Sequence, residues 1–453
     1  MQQDVYGTST LPFDWGLEYL QDARRALAML HLPLAEAAAQ LDYRVRLVGG
    51  WARDLLLLVH ARAAASARLE ADVDLVVEGD ARALGKLLQS KWGGALVVHD
   101  AFLTATWRPD MQRLPRDDQT AAGAVPGIAV DLVTARSETY PSPGQLPQVT
   151  AGTFAQDMAR RDISINTFAL DLEDWPGFPA PPGRLKVHFY ANALTDLQNG
   201  CIRLLHAASL QDDPTRIFRM ARYEQRFGFR LEQDTAGWLG QAMQDDVLAT
   251  VSRERIRCEL EQIFGEDRAI PVLLRLHEWG VLQALGLNPD AARLWPALDR
   301  AVGTPPRLQE VIWLLLLGLS RETAHSASRG GLHLPASTAK AVAAFRHLAN
   351  QPWHGLRPSQ IWQRLESTPA VVRLALRACL PECAGALDLY EDQRQYVTTH
   401  IAGRDLVGLG YRPGPQIGRV LEQLRSKTLD GELHSREQEL DWVRRILGPP
   451  PGI

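Results

Sequence analysis

The feature that most constrains this 453-residue chain is a change of pattern near residue 205. Before it, short β-branched runs alternate with helical stripes; after it, each periodic segment reads as helix. Tyr43–Val48 (YRVRLV), Val73–Gly79 (VDLVVEG), Ala95–His99 (ALVVH) and Ile128–Ala135 (IAVDLVTA) read as strands. WARDLLLLVHARAAA, after Gly49-Gly50, and LGKLLQSKW read as helices, and residues 1–42 as one or two short helices. A polar loop covers Met111–Gly127 and a Pro/Gly-rich one Tyr140–Thr153. Towards the C-terminus, Pro289, Pro305, Pro306, Pro358, Pro413 and Pro415 punctuate the helices. The expected fold class is α+β, a catalytic-looking head followed by a long helical body.

Composition narrows the class. Hydrophobic residues make up 46% and charged residues 23%, as in globular proteins. No apolar run reaches the roughly 18 residues of a membrane span. The start, MQQDVYGTSTLPFDWG, carries neither the basic nor the apolar region of a secretory signal, so a cytoplasmic protein is expected. Cys201, Cys258, Cys379 and Cys383 show no CxxC spacing, which argues against zinc or a disulfide framework and for buried reduced thiols. With a net charge of −4, any nucleic-acid binding must rest on local arginine clusters.

The most informative stretch is Gly49–Asp74. A strand ends in Gly49-Gly50 and a helix follows, with Arg53-Asp54 in its first turn. Helix N-terminal N–H groups favour phosphate, and glycine permits close approach. Asp72 and Asp74 open the next strand, where residues i and i+2 share a face. Two carboxylates side by side repel unless a cation sits between them, and Mg²⁺ favours a few carboxylates plus substrate phosphates. Two-metal sites stabilise the attacking and leaving oxygens of phosphoryl displacement. Asp131, on another strand, is placed to complete a catalytic set, with Arg136 near the phosphates.

Two further segments suit a nucleotide. Arg160-Arg161-Asp162, just after the Pro/Gly loop, offers two guanidiniums for triphosphate and a carboxylate for a ribose hydroxyl, with Asn166 near sugar or backbone. In DDPTRIFRMARYEQRF, Asp212 or Asp213 suits an N-cap and Pro214 the first helical position. Arg216, Arg219, Arg222 and Arg226 form a basic stripe, while Ile217, Phe218, Ala221 and Phe227 can face the core. Asp213 accepting an exocyclic amine beside Arg216 donating to a ring nitrogen would suit adenine or cytosine and reject guanine and uracil, by the logic of carboxylate contacts to cytosine N4. Arg219 and Arg222 remain for triphosphate.

Together, VGGWARD, DVDLV, DLVTAR, ARRDISIN, LTDLQNGCIRLL and DDPTRIFRMARY resemble the class II tRNA nucleotidyltransferase and bacterial poly(A) polymerase family, over roughly residues 43–260. The resemblance implies a head with a mixed five-stranded sheet at 43–206 after a 1–42 helical segment, a helical neck at 207–270 and a helical body and tail at 271–453. It implies Asp72 and Asp74 as Mg²⁺ ligands, Arg160, Arg161 and Asp162 at triphosphate and ribose, and Asp213 and Arg216 as the base readers. The segment Ile401–Leu424 resembles the RNA-binding tail, with Arg404 and Arg419 as RNA contacts. Two departures stand out. Asp212 replaces the family's usual glutamate, a shorter acid that would hold Arg216 less firmly, and no HD phosphohydrolase signature is present. The long loop between Asp131 and Arg160 resembles the subgroup that adds the terminal A. The expected partners are the 3′ end of the tRNA acceptor stem and ATP, with CTP for a full CCA enzyme, and neither a membrane nor an obligate protein partner. Alternatives are a poly(A) polymerase acting on general RNA, a nucleotidyltransferase of small molecules, and a catalytically inactive RNA-binding protein.

Overall fold

The computed structural model describes residues 6–13, 20–59, 72–114, 127–175, 183–302, 308–321, 332–396 and 398–449. The chain divides into two compact units, Met1–Ala284 and Leu285–Ile453. The division falls inside the segment expected to be body and tail.

The first unit runs β1 (Tyr6–Phe13), α1 (Gln21–Leu41), β2 (Arg44–Val48), α2 (Gly49–Val59), β3 (Asp72–Glu78), α3 (Ala81–Trp92), β4 (Ala95–His99), β5 (Thr104–Arg108), β6 (Ala129–Thr134), β7 (Arg136–Thr139), β8 (Gln148–Ala151), α4 (Phe154–Ala159), β9 (Ala169–Asp171), β10 (Gly183–Tyr190) and α5 (Ala193–Asn199). Helices α6 (Ser209–Asp212), α7 (Arg216–Phe227), α8 (Gln233–Gln244), α9 (Arg253–Phe264) and α10 (Ala269–Glu278) follow. The sheet has eight strands in the order β1-β10-β9-β2-β3-β6-β5-β4, not five. The extra strands were hard to read for physical reasons. β9 is three residues long, and β1 is an edge strand carrying Pro12 and polar alternation, tolerable only because one side needs no partner. The segment expected to be helical thus begins as a strand, pairing antiparallel with β10 from Tyr6↔Tyr190 to Phe13↔Gly183. The tail end of the helix expected after Gly49-Gly50, and most of the Met111–Gly127 loop, lie outside the described residues.

Strand β3 explains the site's placement. Val73, Leu75 and Val77 are fully buried on one face, and Val76 on the other. That leaves Asp72 exposed and Asp74 half-buried at the strand's N-terminal end, beside the C-terminal end of antiparallel β2. Parallel β6 places Asp131 opposite Asp74.

Midway along β2, Arg46 donates to Asp171 at 2.7 Å and to Glu78 at 3.2 Å, and Asp171 also meets His188 Nε2 at 2.7 Å. Nearby Asp174 is pushed up to about 6 by burial, with Asp171 and Glu173 adding to the rise. A carboxyl raised above its unfolded value of about 3.9 binds protons more readily when folded, so stability falls as pH rises from about 4 to 6. The group is partly solvated, which discounts the effect. Asp174→Asn is therefore expected to raise Tm by about 1–3 °C at pH 7.5 and by less at pH 5. An equal offset at both pH values in thermal melts would refute it.

In the second unit, Leu308–Gly318 is buried from Val311 to Leu316. A separate core cluster gathers Ile401, Leu406, Tyr411, Ile417, Val420, Leu424, Leu433 and Val443. Arg404 and Arg419 are exposed over this cluster's helices, Gly403–Gly408 and Pro415–Leu429. Among the described residues no helix is long and apolar enough to cross a membrane. The four cysteines are free thiols; Cys379 and Cys383 are buried, but Cys201 is partly exposed and Cys258 exposed, against the expectation of four buried thiols.

Candidate active site

Gly49 is where glycine is needed. It has φ +65°, and an added Cβ would lie 3.3 Å from an Arg161 guanidinium nitrogen and 3.7 Å from Asp74 Oδ2. The missing side chain keeps a cradle open between a cation and a carboxylate. Asp131, opposite Asp74, accepts from Thr106 Oγ1 through Oδ1 at 2.6 Å. Among the described residues no three His, Cys, Asp or Glu side chains form a ready-made metal cage. Two carboxylates beside an open cradle remain, and that donor set fits Mg²⁺, which takes one or two carboxylates and completes its shell with water and substrate phosphates.

The two arginines of the RRD segment are held by a carboxylate not anticipated from the sequence. Asp157, fully buried on α4, accepts from Arg160 Nη2 at 2.6 Å and from Arg161 Nη2 at 3.0 Å. Burial alone would raise its pKa, but Arg161 and Arg160 together hold it below the usual carboxylate value. The signal was present, because residues three and four apart on a helix are neighbours. Glu138 on β7 adds a bond from Arg160 Nη1 at 2.9 Å. Helix α4 is itself fixed by a Thr153–Gln156 capping box and by Glu78, which accepts from the Phe154 N–H at 2.9 Å.

Arg53 and Asp54 lie beneath the surface, each 2% exposed. Arg53 Nε donates to Asp54 at 2.8 Å and Nη1 to Asn166 Oδ1 at 2.5 Å, while the guanidinium sits 5.0 and 4.7 Å from the ring centroids of Tyr223 and Phe227. Burial opposes its charge, yet Asp54 and Tyr223 hold its pKa above the ordinary arginine value. Asn166 Nδ2 donates to Asp162 Oδ1 at 3.0 Å, and Asp162 Oδ2 accepts from Arg219 at 3.4 Å. Arg219 Nη2 reaches Asp213 Oδ2 at 2.7 Å. Arg161 Nη1 also donates to the Asn166 carbonyl at 3.1 Å. A continuous hydrogen-bonded chain thus runs from the Asp74–Gly49 cradle through Arg161, Asn166, Asp162 and Arg219 to Asp213.

Helix α7 begins at Arg216, after a turn in which Asp213 caps Thr215, rather than at Pro214. Ile217, Phe218, Ala221 and Phe227 are buried. The basic stripe splits in two. Arg222 and Arg226 both clamp Glu266, and Arg222 also donates to Gln262, so neither turns to Asp213. The Arg216 guanidinium is not bonded to the Asp213 carboxylate; its Nη1 donates to Ser209 Oγ at 3.1 Å and its Nη2 to the Arg160 carbonyl at 2.9 Å. Asp212, half-buried, lies 3.9 Å from His206, so Ser209 and Arg160 hold Arg216 in place of the expected acid. Burial would raise the Asp213 pKa, but Arg219, Thr215 and Arg255 hold it low. Among the described residues, the Nε atoms of Arg161, Arg216 and Arg219 are buried without a partner.

Known proteins resemble this chain in sequence and fold. Residues 45–203 match the poly A polymerase head domain, and residues 228–292 a probable RNA and SrmB-binding site of polymerase A. The chain is 32% identical to an A-adding tRNA nucleotidyltransferase of Halalkalibacterium halodurans over 91% of each chain. It is 30% identical to a CC-adding tRNA nucleotidyltransferase of Deinococcus radiodurans, over 90% of this chain and 91% of that one. A CCA-adding enzyme in its apo form superimposes with a TM-score of 0.74 and 26% identity, covering 96% of this chain and 99% of the other. Matched across its head and 32% identical to an A-adding relative over 91% of each chain, the chain belongs to the tRNA nucleotidyltransferase and poly(A) polymerase family and is a nucleotidyltransferase.

Proposed function

We propose that this enzyme adds the terminal A to tRNA ending in CC, using ATP and releasing pyrophosphate. The observation that carries the reading is the bonded chain from the Asp74–Gly49 cradle to Asp213, which joins a phosphate end to a base end. The similarity to an A-adding enzyme across 91% of both chains favours A over generic polyadenylation, and the long loop after Asp131 agrees.

In this reading, head, neck and body–tail correspond to residues 43–206, 207–270 and 271–453. Asp72 and Asp74 hold Mg²⁺, which when bound draws charge from the phosphates and favours loss of the hydroxyl proton. Arg160 and Arg161 neutralise the triphosphate, prevented by Asp157 from swinging away. Asp162 accepts from the ribose through Oδ2. Asp213 Oδ2 accepts the exocyclic amine of adenine, and Arg216 donates to its ring nitrogen. The RNA 3′-hydroxyl attacks the α-phosphorus and the bond to the β-phosphate oxygen breaks; positioning and charge neutralisation supply most of the rate. Arg53 and Asp54 support the site from below through Asn166, Asp131 completes the catalytic set beside Asp74, and Arg404 and Arg419 contact the RNA.

The test is incorporation by purified protein with Mg²⁺ and each nucleoside triphosphate separately. Acceptors are tRNA transcripts ending before CCA, tRNA ending in CC, and an unrelated RNA. A single A added only to the CC-ending tRNA is expected. C addition to the bare tRNA would replace this reading with full CCA synthesis, and long A tracts on any RNA with a poly(A) polymerase.

A further inference from the structure

Asp213 has more partners than a base reader needs. Its Oδ1 accepts from the Thr215 N–H at 3.1 Å, the Thr215 hydroxyl at 2.7 Å and Arg255 Nη2 at 2.8 Å. Its Oδ2 takes Arg219 at 2.7 Å. A carboxylate oxygen has two lone pairs, so Oδ1 is full and Oδ2 keeps one acceptor position.

Arg255 on α9 has a second engagement: its Nη1 donates to the Gly144 carbonyl at 2.8 Å. Gly144 is a buried residue in the loop that joins β7 to β8. Its N–H donates to the Gln211 carbonyl at 3.2 Å. It has φ +72°, and an added Cβ would fall 2.1 Å from Thr250 Oγ1. The hairpin tip is therefore wedged among α6, Thr250 and Arg255, at a residue with no room for a side chain. A guanidinium bonded at both ends fixes the rotation of the Asp213 carboxylate more tightly than either bond alone.

We infer that Arg255 is a positioning residue for base choice: beside Thr215 on Asp213 Oδ1, it ties the carboxylate to the hairpin at Gly144 and fixes the direction of the single acceptor left on Oδ2. The inference rests on Asp213 being the base reader. A single acceptor suits the lone exocyclic amine of adenine. Guanine offers two adjacent donors, N1–H and the exocyclic amine, which pair with both oxygens of an unrestrained carboxylate. Thr215 also sits on the second oxygen, so Arg255 acts by keeping the carboxylate from turning to present both oxygens, and in that way it excludes guanine in particular. Nothing in the sequence near Asp213 signals this, because Arg255 and Gly144 are distant in the chain.

The experiment compares kcat/KM for ATP and GTP on CC-ending tRNA in wild type, Arg255→Ala, Arg255→Lys and Gly144→Ala, with thermal melts alongside. Arg255→Ala is expected to raise the GTP-to-ATP ratio about tenfold, the scale of one lost charge-assisted hydrogen bond. Arg255→Lys keeps the charge but cannot span both partners, and should relax the ratio in the same direction. Gly144→Ala removes the other anchor and should do likewise. The double variant Arg255→Ala/Gly144→Ala should exceed the larger single change by little, because both act through one contact. If Arg255→Ala and Arg255→Lys lower activity with all nucleotides equally and leave the ratio at its wild-type value, the inference is overturned. Asp213→Ala separates the two levels. A wild-type ratio in that variant defeats the base-reading assignment itself, whereas a relaxed ratio there with normal selectivity in both Arg255 variants defeats the role of Arg255 alone.

Discussion

Replacing Asp72 and Asp74 together by alanine is expected to lower nucleotide incorporation at least roughly 10³-fold, the scale of losing the charge-stabilising centre of a phosphoryl-transfer site. The fold should survive, because Asp72 is exposed and Asp74 half-buried at the end of β3, and the strand is anchored by Val73, Leu75 and Val77. RNA affinity should hold, because phosphate binding is carried by arginines and depends on counterion release. Asp131→Asn should cost less, since its carboxylate is turned to Thr106 and the amide oxygen can still accept that hydroxyl. The measurement is single-nucleotide incorporation beside RNA gel shift and circular dichroism. Undiminished incorporation by the double variant would end the metal assignment, and a lost fold would show that the strand end is structural.

Much of the site was legible because its chemistry is local. DVD on a strand, a glycine pair before a helix and RRD after a Pro/Gly loop each announce themselves within a few residues. What was not legible was where each charge finds its partner. The helix-face logic that marked Arg216, Arg219, Arg222 and Arg226 as one stripe was sound, but Glu266, forty residues downstream, takes Arg222 and Arg226 out of it. Asp157 was within reach of the same rule, four residues before Arg161. Ser209, Arg255 and Gly144 were not, since their roles exist only once the neck packs on the hairpin. The strand count failed at elements whose burial comes from pairing: β1 has little apolar periodicity of its own and is a strand because β10 lies beside it. Its edge position explains the polar alternation that made it look unlike a strand.

The largest stability effect is expected from Arg53→Ala. At 2% exposure, this guanidinium is the counter-charge of Asp54, also 2% exposed, and the donor that holds Asn166 Oδ1. Removing one member of a buried ion pair leaves the other charged and desolvated, which costs about 3–5 kcal/mol. The rings of Tyr223 and Phe227 lose a cation between them and the head, which deepens the effect. In a unit of this size that corresponds to a Tm lowered by roughly 10 °C. Arg53→Lys should recover only part of it, because an ammonium is a point charge that cannot span Asp54, Asn166 and the rings together. The alternative is that Arg53 serves the triphosphate directly, in which case Arg53→Ala would raise KM for ATP with little change in Tm. Differential scanning fluorimetry beside ATP kinetics below the melting range separates the two. A Tm within about 2 °C of wild type would remove Arg53 as the strut between the head and α7, because a buried charge left alone in that position has no other way to be satisfied.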